Sequence, residues 1–160
     1  MQLCGMSIAD WDRENCAVGN TLAIIGERWT LLVLRETFLG VRRFDQFRRN
    51  TGAARNILSH RLNTLVAHGI LRRELYQERP ERYEYRLTEK GIDLYPILIT
   101  LMDWGMRHAM DDSEATMMLQ HKRCGANVVP HLACPECHEP VQARDMRALA
   151  GPGATLRETA

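Results

Sequence analysis

FDQFRRNTGAARNILSHRLNTLVAHGILRRELYQERPERYEYRLTEKG, residues 44–91, is the stretch on which the fold of this chain turns. A short helix pattern opens at Phe44 and leads through Gly52 into a second helix over 55–68. Two alternating strands come next, 71–77 and 82–87, joined by the tight turn Glu78-Arg79-Pro80-Glu81. Helix, turn, helix, hairpin is the order of a winged helix-turn-helix, whose second helix can lie in the major groove of DNA. That helix has two unlike faces. Leu58, Leu62, Leu65 and Val66 make an apolar stripe, and Asn56, Ser59, His60 and Asn63 fall opposite it. A face meant only for water usually carries Glu and Lys. This one carries groups that reach base edges and phosphates. Arg55 stands in the first turn, where a cation works against the helix dipole unless an anion is present.

Charge is concentrated in the same stretch. The whole chain has a formal net charge of +1, yet residues 41–86 hold eleven Arg against five Asp or Glu. The 40 residues before it hold three basic and five acidic groups, and residues 87–120 hold two and six. A basic block bounded by acidic flanks marks a polyanion partner, here double-stranded DNA. Arg79, beside Pro80 at the hairpin turn, and Arg82 are placed to meet a minor groove or a phosphate. Arg42, Arg43, Arg48 and Arg49 read as phosphate neighbours. Arg61 lies beside the apolar stripe, where bracing the domain through an ion pair and touching DNA are both open.

A chain of 160 residues holds one domain and a small appendage. The expected fold class is mainly α with a small β-hairpin (α+β). A winged helix-turn-helix domain is expected over 1–115, a Cys/His-rich, zinc-ribbon-like module over 116–147 and a disordered tail over 148–160. No run reaches the ~18 apolar residues that span a bilayer. Asp10, Asp12 and Glu14 stand where a signal peptide would be basic and then apolar, so the expected location is the cytoplasm.

Residues 17–39 are helical in pattern, with a break at Gly26 and a cap at Gly40. Residues 41–43 form a short extended piece, and Thr88 is a good N-cap for the helix pattern that begins after it. The segment 89–110 is apolar on more than one side, and Pro96 is expected to kink or split it. One face of that segment can cover the winged core. The other needs a partner, and a second copy of the chain is the economical one, which gives a homodimer. Trp29 and Trp104, at helical spacing among Leu and Ile, read as core or dimer-interface aromatics.

His121-x2-Cys124-x9-Cys134-Pro-Glu-Cys137 consists of two halves with paired ligands two residues apart. That spacing suits one tetrahedral Zn²⁺ in a Cys₃His set, with His131 and His138 as rivals for the fourth place. A loop of unmetallated thiols is the alternative. Five cysteines, an odd number with three inside 124–137, do not resemble a secreted disulfide framework. Cys16 precedes an apparent helix, and the dipole there favours the reactive thiolate. The competing reading is a small buried residue.

Taken in order, Cys16-Ala-Val-Gly-Asn-Thr-Leu-Ala-Ile-Ile-Gly-Glu-Arg-Trp-Thr-Leu-Leu-Val-Leu-Arg-Glu, Arg43-Phe44-Asp45-Gln46-Phe47 and Ile57-Leu58-Ser59-His60-Arg61-Leu62 resemble the signatures of HxlR-type bacterial transcription regulators, relatives of the MarR group. Arg82-Tyr-Glu-Tyr-Arg-Leu-Thr-Glu-Lys-Gly91 and Asp103-Trp104-Gly105 complete the set. The resemblance covers about 16–108. It implies a homodimeric winged-helix protein that binds a pseudo-palindromic operator as repressor or activator, and a cysteine at the place of Cys16 that senses oxidants or electrophiles. Members often carry Ser-Pro where this chain has Ala54-Arg55. The sequence holds no Gly-rich phosphate loop, no Gly-x-Ser-x-Gly and no His-Glu-x-x-His, so an enzyme is not expected. A zinc-bearing winged-helix adaptor that contacts protein without specific DNA binding is the alternative function.

Overall fold

The computed structural model describes residues 16–111, 117–149 and 151–153. Expectations for the leading residues and for most of the tail fall outside these. The chain divides into two compact units, 22–130 and a second one comprising 131–160 with 1–21.

α1 (Ala17–Ile25) ends and α2 (Arg28–Phe38) begins around Gly26. A Cβ on Gly26 would press on the Leu22 carbonyl, so the break and the missing side chain go together. Beyond α2, residues 41–43 run extended against the hairpin, where Tyr85 N donates to Arg42 O at 2.8 Å and Arg43 bridges to Glu84. α3 (Phe44–Thr51) and α4 (Arg55–Ala67) form the helix-turn-helix. β1 (Leu71–Glu78) and β2 (Glu81–Leu87) pair antiparallel, with an irregularity between Leu75 and Gln77 that leaves Tyr76 as the extra residue. Thr88 caps the short α5 (Glu89–Ile92) by accepting from Gly91 N at 3.1 Å.

The core is where α2, α3, α4 and the hairpin converge. Val33, Leu34, Phe47, Leu58, Leu62 and Leu65 are fully enclosed, joined by Ile70, Leu71 and Tyr85. Each such Leu or Phe contributes about 1.5–3 kcal/mol of transfer free energy. Phe47 and Tyr85 meet edge to face at 6.3 Å. Glu36, 4% exposed, ties helices together: Oε1 accepts from Arg35, and Oε2 accepts from Asn50 Nδ2 at 2.7 Å.

Of the two outcomes expected at Pro96, a kink or a split, the segment 89–110 shows the split. It is split ahead of the proline, and α6 (Tyr95–His108) begins with Pro96 in its first turn. The ring needs no hydrogen-bonded N–H there, so proline starts this helix instead of bending it. Trp104 is 54% exposed, while Trp29 packs against the core.

Residues 117–149 contain two small turns and no buried side chain among the described residues. In the first unit, Gln120 bridges Asn127, Gly125 N donates to His121 O, and His121 N donates to Ala126 O, both at 2.8 Å. In the second, Ala133 bridges Pro140, and His138 N donates to Cys134 O at 2.9 Å. Cys134 N donates to Glu139 O, also at 2.9 Å. A single 3-10 turn, Ala143–Asp145, comes after them.

Candidate nucleic-acid interface

α4 turns its Leu58-Leu62-Leu65 stripe inward, which leaves Asn56, His60 and Asn63 exposed and Ser59 half-buried beside them. Its N-cap, Ala54, has no side chain able to receive the first amides. Arg55 opens the helix with its guanidinium 5.5 Å from the Phe44 ring centre. The helix stops at His68, and Gly69 takes φ 67°, a left-handed conformation that a residue with Cβ adopts at a cost.

Between the start of α4, α3 and the hairpin lies an open groove of about 610 Å³. Arg43, Arg49, Arg55 and Arg82 line it, with Asp45 and Glu81 as the carboxylates. The structure therefore gathers Arg43, Arg55 and Arg82, all marked from the sequence, around one space. Arg79 sits exposed at the hairpin turn, its carbonyl held by Gln77 Nε2 at 3.0 Å.

The arginines divide by their partners. Arg43 Nε donates to Glu84 Oε1 at 3.0 Å, and the guanidinium lies over Tyr76 at 4.6 Å. Arg72 donates to Glu74 at 2.7 Å, and that hydrogen bond is the main cause holding the Glu74 carboxyl below the usual carboxylate range. Arg61, whose side chain is 19% exposed, reaches Glu27 at 3.5 Å, which favours bracing over DNA contact. Arg49, Arg55, Arg79 and Arg82, by contrast, make no ion pair with a described residue. Arg49, Arg55 and Arg82 line the groove and Arg79 stands at the hairpin turn, while Arg28, Arg42, Arg48 and Arg73 likewise make no ion pair with a described residue.

Arg49, read from the sequence as a phosphate neighbour, and Tyr76, not singled out there, both line this groove. The place of Arg49 was legible in principle. With Phe47 in the core, Gln46 and Arg49, three apart, share the side of α3 that borders the groove. Tyr76 was not, because its aim depends on a register shift that strand alternation does not reveal.

The remaining candidates lie elsewhere. Cys16 is exposed immediately before α1, and its carbonyl accepts from Asn20 N at 2.8 Å. His121 Nδ1 and Cys124 Sγ are 3.2 Å apart in the first unit. In the second unit the Cys137 and Glu136 amides donate to the Cys134 sulfur, which holds that thiol below its ordinary pKa. Among the described residues no three His, Cys, Asp or Glu side chains are gathered around a common point that could hold a metal ion. No single helix among them is long and apolar enough to cross a membrane.

Residues 24–113 match the model of the HxlR-like helix-turn-helix family. An uncharacterized HTH-type transcriptional regulator of Mycobacterium tuberculosis is 44% identical over 150 residues, covering 92% of this chain and 95% of its own length. A crystal structure of PA1607, a candidate transcription factor, superposes with a TM-score of 0.77 at 32% identity, over 87% of this chain and 97% of that one. The redox regulator HypR in its reduced form superposes with a TM-score of 0.53 at 36% identity, over 57% of this chain and 94% of its own. The first two matches extend well past the winged domain. The third spans little more than that domain.

Proposed function

The chain belongs to the HxlR-like helix-turn-helix family of transcriptional regulators, and from that premise we propose that it is a cytoplasmic homodimer that binds a pseudo-palindromic operator in double-stranded DNA. Asn56, Ser59, His60 and Asn63 read base edges from the major groove, Arg55 anchors the start of α4, and Arg79 and Arg82 track the backbone from the hairpin. One observation carries this reading: Arg43, Arg49, Arg55 and Arg82 converge on one open groove beside the start of α4, and of these only Arg43 is ion-paired to a described residue, Glu84. Arg43 acts from the groove wall, its orientation set by Glu84 and Tyr76.

Fluorescence anisotropy with a labelled duplex from the DNA upstream of the chain's own gene tests it. Phosphate neutralisation predicts a linear fall of log K against log salt, with a slope of about −0.9 per phosphate contacted. The Asn56→Ala, His60→Ala, Arg79→Ala triple variant should lose specific binding while remaining folded. Equal affinity for operator and unrelated DNA, or no salt dependence, favours the protein-interaction adaptor instead.

A second reading concerns Cys16. Its exposure at the start of α1, and the likeness to a protein described as a redox regulator, support a sensing role. Oxidation would place a polar group or a bridge at the start of α1. Operator binding by wild type and Cys16→Ser, each before and after mild peroxide, separates the cases. Equal loss in both removes Cys16 from that role.

A further inference from the structure

One face of the hairpin sets like charges against each other. Across the ladder Arg72 stands opposite Arg86, and Glu74 opposite Glu84. Like charges directly opposite weaken a strand pair, so each group turns along its own strand or to a diagonal partner. Glu74 meets Arg72 and Arg86, each at 2.7 Å, and Arg86 goes on to Glu84 Oε2 at 3.3 Å. The chain does not end on the hairpin. Glu84 Oε1 accepts from Arg43 Nε at 3.0 Å, and Arg43 is the N-cap residue of α3. Side chains of alternating sign thus run from β1 across β2 to the first helix of the helix-turn-helix.

Glu84 is the link that joins the two parts. Its side chain is 15% exposed, against 40% for Glu74, so water screens its ion pairs less. Each of its oxygens has one guanidinium, Arg43 on the α3 side and Arg86 on the hairpin side. The backbone ties the same place, since residues 43 and 84 form a bridge and Tyr85 N donates to Arg42 O. Tyr76, the inserted residue of β1, lies under the Arg43 guanidinium at 4.6 Å. A planar guanidinium with a carboxylate at its edge and an aromatic ring at its face is restricted to one orientation.

We propose that Glu84 is a positioning residue: by fastening the hairpin to the start of α3, it sets how sharply the protein tells its operator from other DNA. This rests on the groove being the DNA interface. Glu84 does not line that groove and acts through Arg43 and Arg86. Base contacts from α4 and backbone contacts from Arg79 and Arg82 come from two different elements. They form together only when the hairpin stands at a fixed pitch to α4. On unrelated DNA the base contacts are missing, and a loose hairpin still finds phosphates. Fastening the hairpin therefore favours the operator and does little for other sequences.

The sign of the effect separates this role from a simple charge. Glu84→Gln removes a negative charge near the groove, and on charge alone every duplex should bind more tightly. Positioning predicts the reverse for the operator, whose affinity falls while that for unrelated DNA stays or rises. The ratio of the two affinities should drop about tenfold, the scale of one mismatched base pair. Glu78→Gln makes the same change of charge on the same hairpin, outside the chain of ion pairs, and should leave the ratio unchanged. Arg86→Lys keeps the charge but cannot hold Glu74 and Glu84 with one planar fork. It should lower the ratio with the salt slope of the wild type, and it reports even if Glu84→Gln melts too early to assay.

Anisotropy titrations of the full chain, against the upstream duplex and a scrambled one of equal length over a range of salt, measure all of these. Thermal melting of each variant checks that it is folded. A wild type with no preference for the upstream duplex overturns the DNA interface and this role together. A wild type that discriminates, beside Glu84→Gln and Arg86→Lys proteins that discriminate equally well, overturns this role alone. Equal tightening on both duplexes by Glu84→Gln also overturns it, since Glu84 would then act as a charge and nothing more.

Discussion

Arg55 and Glu36 show how differently two charged residues serve the same domain. Arg55 opens α4 in a place the helix dipole disfavours, by about 0.3–1 kcal/mol, while its stacking on Phe44 returns about 0.5–1 kcal/mol. These nearly cancel, so Arg55→Gln should change unfolding free energy by less than about 1 kcal/mol. Its operator affinity should nonetheless fall by about 1–3 kcal/mol, with a shallower salt slope. Urea denaturation set beside anisotropy titration measures both. An Arg55→Gln protein that binds as well as wild type would remove this arginine from the interface. Glu36 should behave in the opposite manner. It is buried, and its two oxygens serve Arg35 and Asn50. Glu36→Ala strands the Asn50 amide, and the expected loss is about 1–3 kcal/mol of stability. DNA affinity of the folded fraction should be unchanged.

At the level of elements, local chemistry made much of the fold legible. Gly26 divides α1 from α2, Thr88 caps α5, and Gly69 ends α4, each for a reason visible in a few neighbouring residues. What escaped depends on position within an element or on tertiary pairing. Pro96 could bend a helix or begin one, and only the helix boundary decides. Tyr76 faces the groove because one residue is inserted into the ladder between Leu75 and Gln77. Which residues of α4 lie exposed opposite the Leu58-Leu62-Leu65 stripe was legible, since helical period alone dictates it. Two substitutions probe these local causes. Ala54 caps α4 without a side-chain acceptor, so Ala54→Ser should raise stability by about 0.5–2 kcal/mol. Gly91 lies against the Ile70 carbonyl, and a Cβ there would collide with backbone. Gly91→Ala should therefore lower the thermal midpoint, and an unchanged midpoint would mean that α5 moves freely from β1.

Across the winged unit, charge and apolar surface are kept apart. Arg43, Arg49, Arg55 and Arg82 border the groove, whereas Leu101 and Trp104 on α6, together with Ile92, Ile97 and Leu39, are left exposed. Further along, Phe38 and Tyr95 stack at 5.0 Å beside an apolar cleft of about 230 Å³ lined by Leu31, Leu98 and Met102. So much exposed apolar side chain on one helix of a small domain marks an association surface. A twofold interface here would set two α4 helices about one DNA turn, ~34 Å, apart. Sedimentation at micromolar concentration should then show a species of twice 18.4 kDa. A Leu101→Glu, Trp104→Glu variant should sediment at 18.4 kDa with its helical content intact. Separating the half-sites removes the advantage of linked binding, and affinity for the full operator should drop by about 10²–10⁴-fold. Affinity for an isolated half-site should stay as it was, because the groove and the polar face of α4 are untouched. A wild type that remains monomeric, or a monomeric variant that still grips the full operator with undiminished affinity, would break the connection between this apolar face and DNA recognition.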